Sequence, residues 1–136
     1  EMTRRWRNRV AKGNPHIVAS RDDAVIGFAY AGRYRTSPAY RFMAEDSIYV
    51  APDAQGAGVG RALLIELLKL CEGLGYRQVI ALIADGNPAS LALHDRLGFR
   101  RIGVIEGSAY KHGRWIDTVL MQRALGEGSG SSPPEA

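Results

Sequence analysis

Hydrophobic and polar positions along this chain predict strands first and helices later. Residues 17–20 and 24–34 are rich in β-branched and aromatic side chains, and the polar residues 21–23 between them predict a β-hairpin. After an irregular stretch over residues 33–41, residues 46–50 are predicted to form another strand. Sheet structure is therefore expected up to a glycine-rich segment at residue 56.

The second half of the chain shows helical and buried-strand patterns in turn. Residues 78–84 are a continuous apolar run, which is typical of a strand covered on both faces. Asn87 and Pro88 predict a helix start, because asparagine caps free backbone N–H groups and proline fits the first helical position, and Gly98 predicts its stop. Residues 99–105 and 115–123 are predicted strands. Before these elements, leucines recur at helical spacing as far as Gly73 and Gly75: Leu63, Leu64, Leu67, Leu68 and Leu70.

Composition limits the domain organisation. The chain has 136 residues, of which 46% are apolar and 24% charged, which excludes a wholly disordered chain. A chain of 14.8 kDa can bury one ordinary core but not two. We expect one domain over residues 1–125 and a disordered Gly/Ser/Pro-rich tail over residues 126–136.

The charge pattern does not by itself identify a partner. The net charge of +4 is too small to indicate nucleic-acid binding. Residues 2–12 carry five basic residues in a helix-like mixture, which fits either a solvated helix face or a phosphate grip, and we assign no site there. Aromatic residues are not interleaved with the basic run over residues 4–9 as a stacking platform requires. No nucleic-acid partner is expected.

Cysteine usage and hydropathy bear on location. The single cysteine, Cys71, cannot form an intrachain disulfide, and the chain opens with charge rather than with an apolar signal segment. Apolar runs such as residues 79–84 are far shorter than the roughly 20 residues of a membrane-spanning helix. We expect a cytoplasmic protein with no membrane partner.

Three alternating glycines, Gly56, Gly58 and Gly60, lie between the predicted strand and the leucine-rich helix. Such a loop lets backbone N–H groups approach an anion, and the helix N-terminus adds a favourable dipole. Arg61 and Ala62 follow where an ATP or GTP P-loop requires Lys and Ser/Thr, and the spacing does not fit the dinucleotide fingerprint. The loop predicts a different phosphate-bearing ligand, or else a turn without a ligand.

Several separated motifs carry a family resemblance. They are Glu45-x-Ser47-Ile48-Tyr49-Val50, Gln55-x-x-Gly58-x-Gly60, Asn87-x-x-Ser90-x-x-Leu93-His94, Leu97-Gly98-Phe99 and Tyr110-Lys111-His112-Gly113-x-Trp115-x-Asp117. In this order they resemble the GCN5-related N-acetyltransferases (GNAT superfamily), and more narrowly the phosphinothricin acetyltransferase and amino-acid N-acetyltransferase branch. The resemblance runs from Trp6 to Leu125 and lacks the strand and helix with which the family normally starts.

The resemblance implies an α/β fold with a mixed, largely antiparallel sheet flanked by helices, and a splayed central strand pair that admits acyl-CoA. It implies acetyl-CoA as co-substrate and no metal. The implied reaction moves the acetyl group by direct attack to the α-amine of a small amino acid or analogue, such as phosphinothricin or methionine sulfoximine or sulfone. A homodimer is also implied.

Two residues take catalytic roles through the resemblance. Glu45 stands where the family places a general base, the alternative being a surface glutamate. Asp46 points to the opposite face of an extended chain, so only one of the two can line the site, and the resemblance favours Glu45. His94 stands where most members carry a tyrosine that protonates the departing thiolate, the alternative being a histidine packed on its helix.

The remaining site residues divide between co-substrate and acceptor. Main-chain N–H groups near Tyr49 and Val50 are expected to bond the thioester oxygen, and Asn87 and Ser90 to contact the pantetheine arm, with Asn87 also capping its helix. The pyrophosphate is expected on the backbone of Gln55, Gly56, Ala57, Gly58, Val59, Gly60 and Arg61.

The acceptor pocket is assigned from residue chemistry and alignment. An amino-acid carboxylate suits the planar fork of arginine, which makes Arg33, Arg35 and Arg41 candidates, with apolar walls from Tyr34, Tyr40 and Phe42. The resemblance favours Arg35 and Tyr40 among them. Tyr110 belongs to a second candidate rim with Lys111 and Trp115, which serves this chain's site or a partner's, or is an ordinary hairpin turn.

Other functions stay open on the sequence. The acceptor is alternatively another amine, such as a peptide N-terminus, an antibiotic or a polyamine, although the arginines argue mildly against a polycation. A truncated, non-catalytic CoA-binding module is the alternative from a different class.

Overall fold

The computed structural model describes residues 9–11 and 14–134. The strands are β1 (Arg9–Ala11), β2 (Asn14–Arg21), β3 (Ala24–Arg33), β4 (Met43–Val50), β5 (Gln78–Ala84), β6 (Arg100–Lys111) and β7 (Arg114–Ala124). The helices are α1 (Val59–Gly73) and α2 (Pro88–Arg96), with short 3₁₀ helices at Pro38–Tyr40 and Pro52–Ala54.

The described strands form one sheet in the order β1-β2-β3-β4-β5-β7-β6. Strands β4 and β5 pair in parallel, and all other neighbours are antiparallel. Helix α1 connects the two parallel strands, as a parallel pair requires a crossover. The expected mixed, largely antiparallel α/β fold is confirmed.

Local signals in the sequence place several element ends correctly. Asp22 and Asp23 form the two-residue loop between β2 and β3 with φ of 52° and 65°, the left-handed conformation of a type I′ hairpin turn. The Asn87 side chain accepts a hydrogen bond from Ser90 N–H at 3.2 Å and caps α2. Gly98 follows the helix with φ of 89°, so the predicted stop is also confirmed.

Three boundaries differ from the prediction because pairing partners, rather than local pattern, set them. Strand β4 begins at Met43 instead of residue 46, and β6 continues to Lys111, where it pairs with Arg114. Part of the helix-like stretch over residues 2–12 is strand β1, which pairs with β2. The rest of that stretch, residues 2–8 and 12, lies outside the described residues.

The core lies between the sheet and one face of α1. The leucine pattern predicted this face correctly, since the buried residues of the helix are Val59, Leu63, Leu64, Leu67, Leu68 and Cys71. They pack on β2, β3 and β4. Each buried leucine stabilises the fold by roughly 1.5–3 kcal/mol relative to an exposed one, so the crossover helix is held firmly over the centre of the sheet.

Strands β4 and β5 pair only over the first part of their lengths. Met43, Ala44 and Glu45 pair with Gln78, Val79 and Ile80, and no pairing follows. The strands therefore diverge beyond Glu45 and form a fork that opens toward Val50 and Ala84. This is the predicted splayed central pair.

The end of the described chain is held against the sheet by Arg77. Its guanidinium donates hydrogen bonds to the carbonyl oxygens of Gly128 at 2.7 Å and Ser132 at 3.3 Å. Residues 126–134 thus form turns and bends with defined contacts, in place of the predicted disorder. Neither described helix is long and apolar enough to cross a membrane.

Candidate functional site

A cavity of about 550 Å³ occupies the open part of the fork. Strand β4 supplies one wall, the glycine-rich loop and the first turn of α1 supply the base, and α2 supplies the other wall. The lining residues are Ile48, Val50, Ala54, Gln55, Gly56, Gly58, Val59, Gly60, Arg61, Asn87, Ala89, Ser90, Ala92, Leu93 and Arg96. A cleft of this size lies within the range of small-molecule and cofactor sites.

The register of β3 and β4 decides which main-chain groups face the fork. Met43 accepts a hydrogen bond from Tyr34 N–H, Ala51 donates one to Ile26, and the register between them is continuous. Because hydrogen-bonded pairs alternate in an antiparallel ladder, Tyr49 directs its main chain to β3. The main chains of Ile48 and Val50 point into the fork instead.

This alternation corrects one expectation. The N–H group of Tyr49 is engaged with β3 and is not available to a thioester oxygen, whereas that of Val50 faces the fork. The side chain of Tyr49 also lies outside the cavity, where its ring stacks on Phe28 at 5.3 Å. Of the two residues predicted to bond the oxygen, Val50 keeps a suitably placed N–H group, and Ile48 offers a second.

The first turn of α1 offers free donors to an anion. Ala62 N–H makes the first helical bond, to Gly58 at 3.1 Å, so the N–H groups of Val59, Gly60 and Arg61 have no acceptor within the helix. Gly58 caps the helix with φ of 80° and no side-chain bond, and the first turn carries no acidic residue. The donors and the helix dipole are therefore open to a phosphate.

The positions of the three glycines have separate physical reasons. Gly56 and Gly58 adopt φ of 83° and 80°, which L side chains rarely adopt. Gly60 has no such φ, but a Cβ there would lie 3.3 Å from Leu93 and 3.5 Å from Val50. The first two allow the loop to turn, and the third allows α1 to approach β4 and α2.

Nine of the eleven predicted co-substrate residues line the cavity. The two exceptions are Tyr49 and Ala57. The Gln55 side chain donates a hydrogen bond to the Val50 carbonyl oxygen at 3.3 Å, and the Gln55 main-chain N–H donates one to the Pro52 carbonyl oxygen at 3.5 Å. Gln55 therefore shapes the loop as well as lining the cavity. Sequence reasoning missed Arg96, which lies three residues after Leu93 and therefore on the same, cavity-lining side of α2.

Glu45 stands at the last paired position of the fork, opposite Ile80. It is half-buried, and its neighbours Ala44 and Asp46 are buried on the helix side of the sheet. Successive strand residues point to opposite faces, so Glu45 lies on the face away from the helices. As expected, Glu45 and Asp46 point to opposite faces of the sheet.

Asp46 and His94 form a buried pair on the other face. His94 Nε2 lies 3.0 Å and 3.2 Å from the two carboxylate oxygens of Asp46, and His94 Nδ1 lies 2.8 Å from the Ser90 carbonyl oxygen. The side chains are 2% and 3% exposed. A carbonyl oxygen and a carboxylate are both acceptors, so this arrangement favours a ring that carries a hydrogen on each nitrogen.

The charge of His94 follows from its surroundings. Burial by itself lowers the pKa of His94, but the hydrogen bond and charge of Asp46, together with the Ser90 carbonyl, raise the pKa above its ordinary value. The ring does not line the cavity, and neither nitrogen is free. This geometry argues against the predicted donation of a proton from His94 to the thiolate and favours the alternative of a packed histidine.

The predicted acceptor residues cluster in the β3–β4 connection. Arg35 lies over the ring of Tyr34 at 4.8 Å and donates to its hydroxyl, which with the charge of Glu45 raises the pKa of Arg35. Tyr40 meets Tyr34 edge to face at 6.1 Å. Arg41 donates to the Pro38 carbonyl at 2.8 Å, so its guanidinium shapes its own loop.

Tyr110 lies at the other end of the molecule. It pairs with Trp115 across the β6–β7 hairpin, with their rings 5.0 Å apart. Strand β7 passes the end of β5 at the pair Ala84 and Thr118, so this hairpin tip extends beyond the open end of the fork. Arg35 and Tyr40 lie in the connection that enters β4 at the closed end of the fork. Within one chain they are therefore at the opposite end of the fork from Tyr110.

A second cavity of about 320 Å³ lies beyond the closed end of the fork. Its walls are the connection before β4, the start of β5 and the segment after Leu125. The lining residues are Ala39, Tyr40, Phe42, Met43, Arg77, Gln78, Gly128, Ser129, Ser131 and Pro133. Met43 shares the strand face of Glu45, which brings this mostly apolar cavity next to the predicted base.

Within residues 9–11 and 14–134, no cluster of His, Cys, Asp or Glu side chains has the arrangement of a metal site.

Comparisons with known proteins agree with this geometry. The model of the acetyltransferase (GNAT) family matches residues 1–99. The chain is 52% identical over 134 residues to the phosphinothricin N-acetyltransferase of Alcaligenes faecalis, covering 98% of this chain and 68% of that protein. It is 40% identical over 119 residues to the L-methionine sulfoximine/L-methionine sulfone acetyltransferase of Pseudomonas paraeruginosa, covering 86% and 69%.

A solved structure shares the fold and holds the co-substrate. The GNAT superfamily phosphinothricin acetyltransferase from Sinorhizobium meliloti, solved in complex with AcCoA, superposes with a TM-score of 0.87 at 51% identity, covering 91% of this chain and 68% of that one. The forked sheet and the free donors of the α1 N-terminus are suited to acetyl-CoA. This chain therefore belongs to the GNAT family of acetyl-CoA-dependent N-acetyltransferases.

Proposed function

We propose that the protein is a cytoplasmic N-acetyltransferase that acetylates the α-amine of a small amino acid or analogue, in the class of phosphinothricin and methionine sulfoximine or sulfone. The similarity to enzymes of those names supports the acceptor class. The observation that carries the proposal is the position of Glu45, at the closed end of the co-substrate fork and beside the loop of Arg35 and Tyr40. The domain is proposed to span residues 1–125.

The co-substrate is proposed to enter the fork with its phosphates at the α1 N-terminus and its pantetheine arm along α2. Backbone N–H groups of residues 59–61 bind the pyrophosphate, and Arg61 and Arg96 add positive charge. Asn87 and Ser90 lie along the pantetheine path. The N–H groups of Ile48 and Val50 bond the thioester oxygen and stabilise the charge that develops on it during attack.

Glu45 is proposed to accept the proton of the acceptor amine, directly or through one water. Direct transfer is supported by the state of the only cysteine. Cys71 is fully buried, and burial together with the charge of Asp46 raises its pKa to about 12. A thiol that stays protonated is a poor nucleophile, so an acetyl-cysteine step is excluded from the proposal.

The acceptor is proposed to lie at the closed end of the fork. Arg35 is exposed in the connection that leads to β4 and Glu45, and its guanidinium suits a carboxylate, so it is the candidate for the acceptor carboxylate. Arg41 is tied to Pro38 and is the weaker candidate. Tyr40 and Met43 open onto the 320 Å³ cavity, whose apolar walls suit the acceptor side chain.

Release of free CoA thiol from acetyl-CoA tests this proposal. The panel contains phosphinothricin, methionine sulfoximine, methionine sulfone, ordinary amino acids and spermidine. We expect rapid release with one of the amino-acid analogues and slow release with spermidine, because Arg35 repels a polycation. If folded protein binds acetyl-CoA but releases no thiol with any acceptor, a non-catalytic CoA-binding module is favoured. Release with spermidine alone would indicate that the acceptor is a different amine.

We also propose that the protein acts as a homodimer in which the β6–β7 hairpin of one copy covers the acceptor end of the other. Tyr110 and Trp115 are 61% and 67% exposed, and their own chain keeps them at the opposite end of the sheet from Arg35. Exposed paired aromatics are typical interface residues.

Mixing two inactive variants tests this arrangement. A Glu45→Gln copy retains Trp115, and a Trp115→Ala copy retains Glu45, so a mixed dimer contains one intact site. We expect partial recovery of activity on mixing and a dimer mass by light scattering. A monomer in solution, or no recovery from mixed dimers, contradicts the proposal.

A further inference from the structure

Asp46 is the first residue of β4 beyond its pairing with β5, since Glu45 and Ile80 make the last pair. At this branch point its carboxylate turns to the helix side and meets His94 of α2 at 3.0 Å. The strand wall and the helix wall of the co-substrate cavity are therefore hydrogen-bonded to each other at the point where the pairing of β4 with β5 ends. Neither side chain lines the cavity, although Ile48, two residues after Asp46, and Leu93, next to His94, both do.

The bond continues along α2 toward the ligand. His94 Nδ1 donates to the Ser90 carbonyl at 2.8 Å, and Ser90 N–H donates to the Asn87 side chain at 3.2 Å. Ser90 and Asn87 both line the cavity. A chain of hydrogen bonds therefore runs from Asp46 on one wall to the N-terminal end of the helix that forms the other.

The surroundings keep this pair closed. The ring of Phe99 packs edge-on against His94 at 4.8 Å, and burial together with the charge of Asp46 raises the pKa of the buried Cys71 thiol of α1. No described side chain is a buried polar group without a hydrogen-bond partner. A carboxylate or imidazolium this deeply buried is costly without its partner, so the pair has one stable arrangement.

We propose that the Asp46–His94 pair is a brace that holds the N-terminal half of α2 at the distance from β4 that the pantetheine arm requires, an inference that rests on the proposed function. His94 is then a positioning residue that acts through Ser90 and Asn87. It does not touch the reacting atoms, because both of its ring nitrogens are bonded inside the core.

The test compares binding with turnover in Asp46→Asn and His94→Gln. Both side chains keep a similar size, and both variants lose the ion pair. We expect each to weaken acetyl-CoA binding by roughly tenfold in calorimetry and to raise KM for acetyl-CoA equally, because a displaced wall misplaces the ligand. The kcat at saturating acetyl-CoA should change by less than about threefold, since the amine and Glu45 are not involved.

Two further variants separate positioning from general stability. Phe99→Leu removes packing on the same ring without touching the charges, so it should lower Tm and leave acetyl-CoA binding unchanged. Exchange of the partners, Asp46→His with His94→Asp, should restore part of the lost affinity. If Asp46→Asn does not fold, His94→Gln and the exchange variant carry the comparison.

Distinct results overturn the brace and the proposed function. Unchanged affinity in both single variants, or equal weakening by Phe99→Leu, would remove the positioning role. A loss of kcat by roughly 100-fold in His94→Gln with unchanged affinity would make His94 the acid that protonates the thiolate. Absence of acetyl-CoA binding by the unaltered protein would instead overturn the proposed function and the brace with it.

Discussion

Replacing Glu45 by glutamine is expected to lower kcat by roughly 100-fold or more while acetyl-CoA affinity stays unchanged. Glutamine keeps the shape of the side chain but cannot accept the amine proton. Glu45 lies at the closed end of the fork and outside the residues that line the co-substrate cavity, so binding and chemistry separate at this position. Thiol release with the preferred acceptor measures kcat, and calorimetry measures acetyl-CoA binding.

The matched control for this variant is Glu72→Gln. Glu72 is exposed on α1, on the helix side of the sheet, whereas Glu45 lies on the other face. We expect its turnover to equal that of the unaltered protein. Undiminished kcat in Glu45→Gln would remove this residue from the mechanism, and a loss of acetyl-CoA affinity would indicate that it shapes the fork instead.

Replacing Gly58 by valine is expected to weaken acetyl-CoA binding by tenfold or more. Gly58 caps α1 with φ of 80°, and a β-branched residue in the left-handed region costs on the order of 1–3 kcal/mol. The loop relieves this strain by turning its backbone, which moves the N–H groups of residues 59–61 away from the pyrophosphate. Part of the cost also appears as lower stability of the free protein.

Gly73→Val separates these two effects. Gly73 ends the same helix without a positive φ, and a Cβ there meets nothing within 4 Å. We expect this variant to keep both its stability and its acetyl-CoA affinity. Circular dichroism gives the unfolding transition of each variant, and acetyl-CoA binding is measured by calorimetry below that temperature. Unaltered affinity in folded Gly58→Val would contradict the role of the loop.

Local chemistry explains why parts of the fold were predictable. The two-aspartate hairpin turn, the Asn87 cap and the Gly98 stop depend on residues within a few positions of one another. The leucines of α1 recur at helical spacing, and this spacing identifies the buried face of the helix from the sequence alone. The glycine loop likewise owes its conformation to its own residues, so its ligand class was accessible before the fold was known.

Pairing between distant segments explains the rest. Strand β1 forms because it pairs with β2, and the start of β4 forms because it pairs with β5, about 35 residues further along the chain. The local sequence pattern does not show these partners. The alternation along β4 depends on its register with β3, which decides that Val50, and not Tyr49, offers an N–H group to the fork. The sequence left open whether Tyr110 serves the same site as Arg35, and the strand order places the two residues at opposite ends of the sheet.

The sequence by itself determined the family, the co-substrate and the identity of the candidate base, because each rests on residues that are close in the chain or on motifs in a fixed order. Only the tertiary structure decided the role of His94. Its partner Asp46 is 48 residues away, and the hydrogen bond and charge of that carboxylate raise the pKa of His94 against the effect of burial and leave the ring without a free nitrogen. A proton affinity depends on every group packed around the titrating atom, and that environment exists only after the chain has folded.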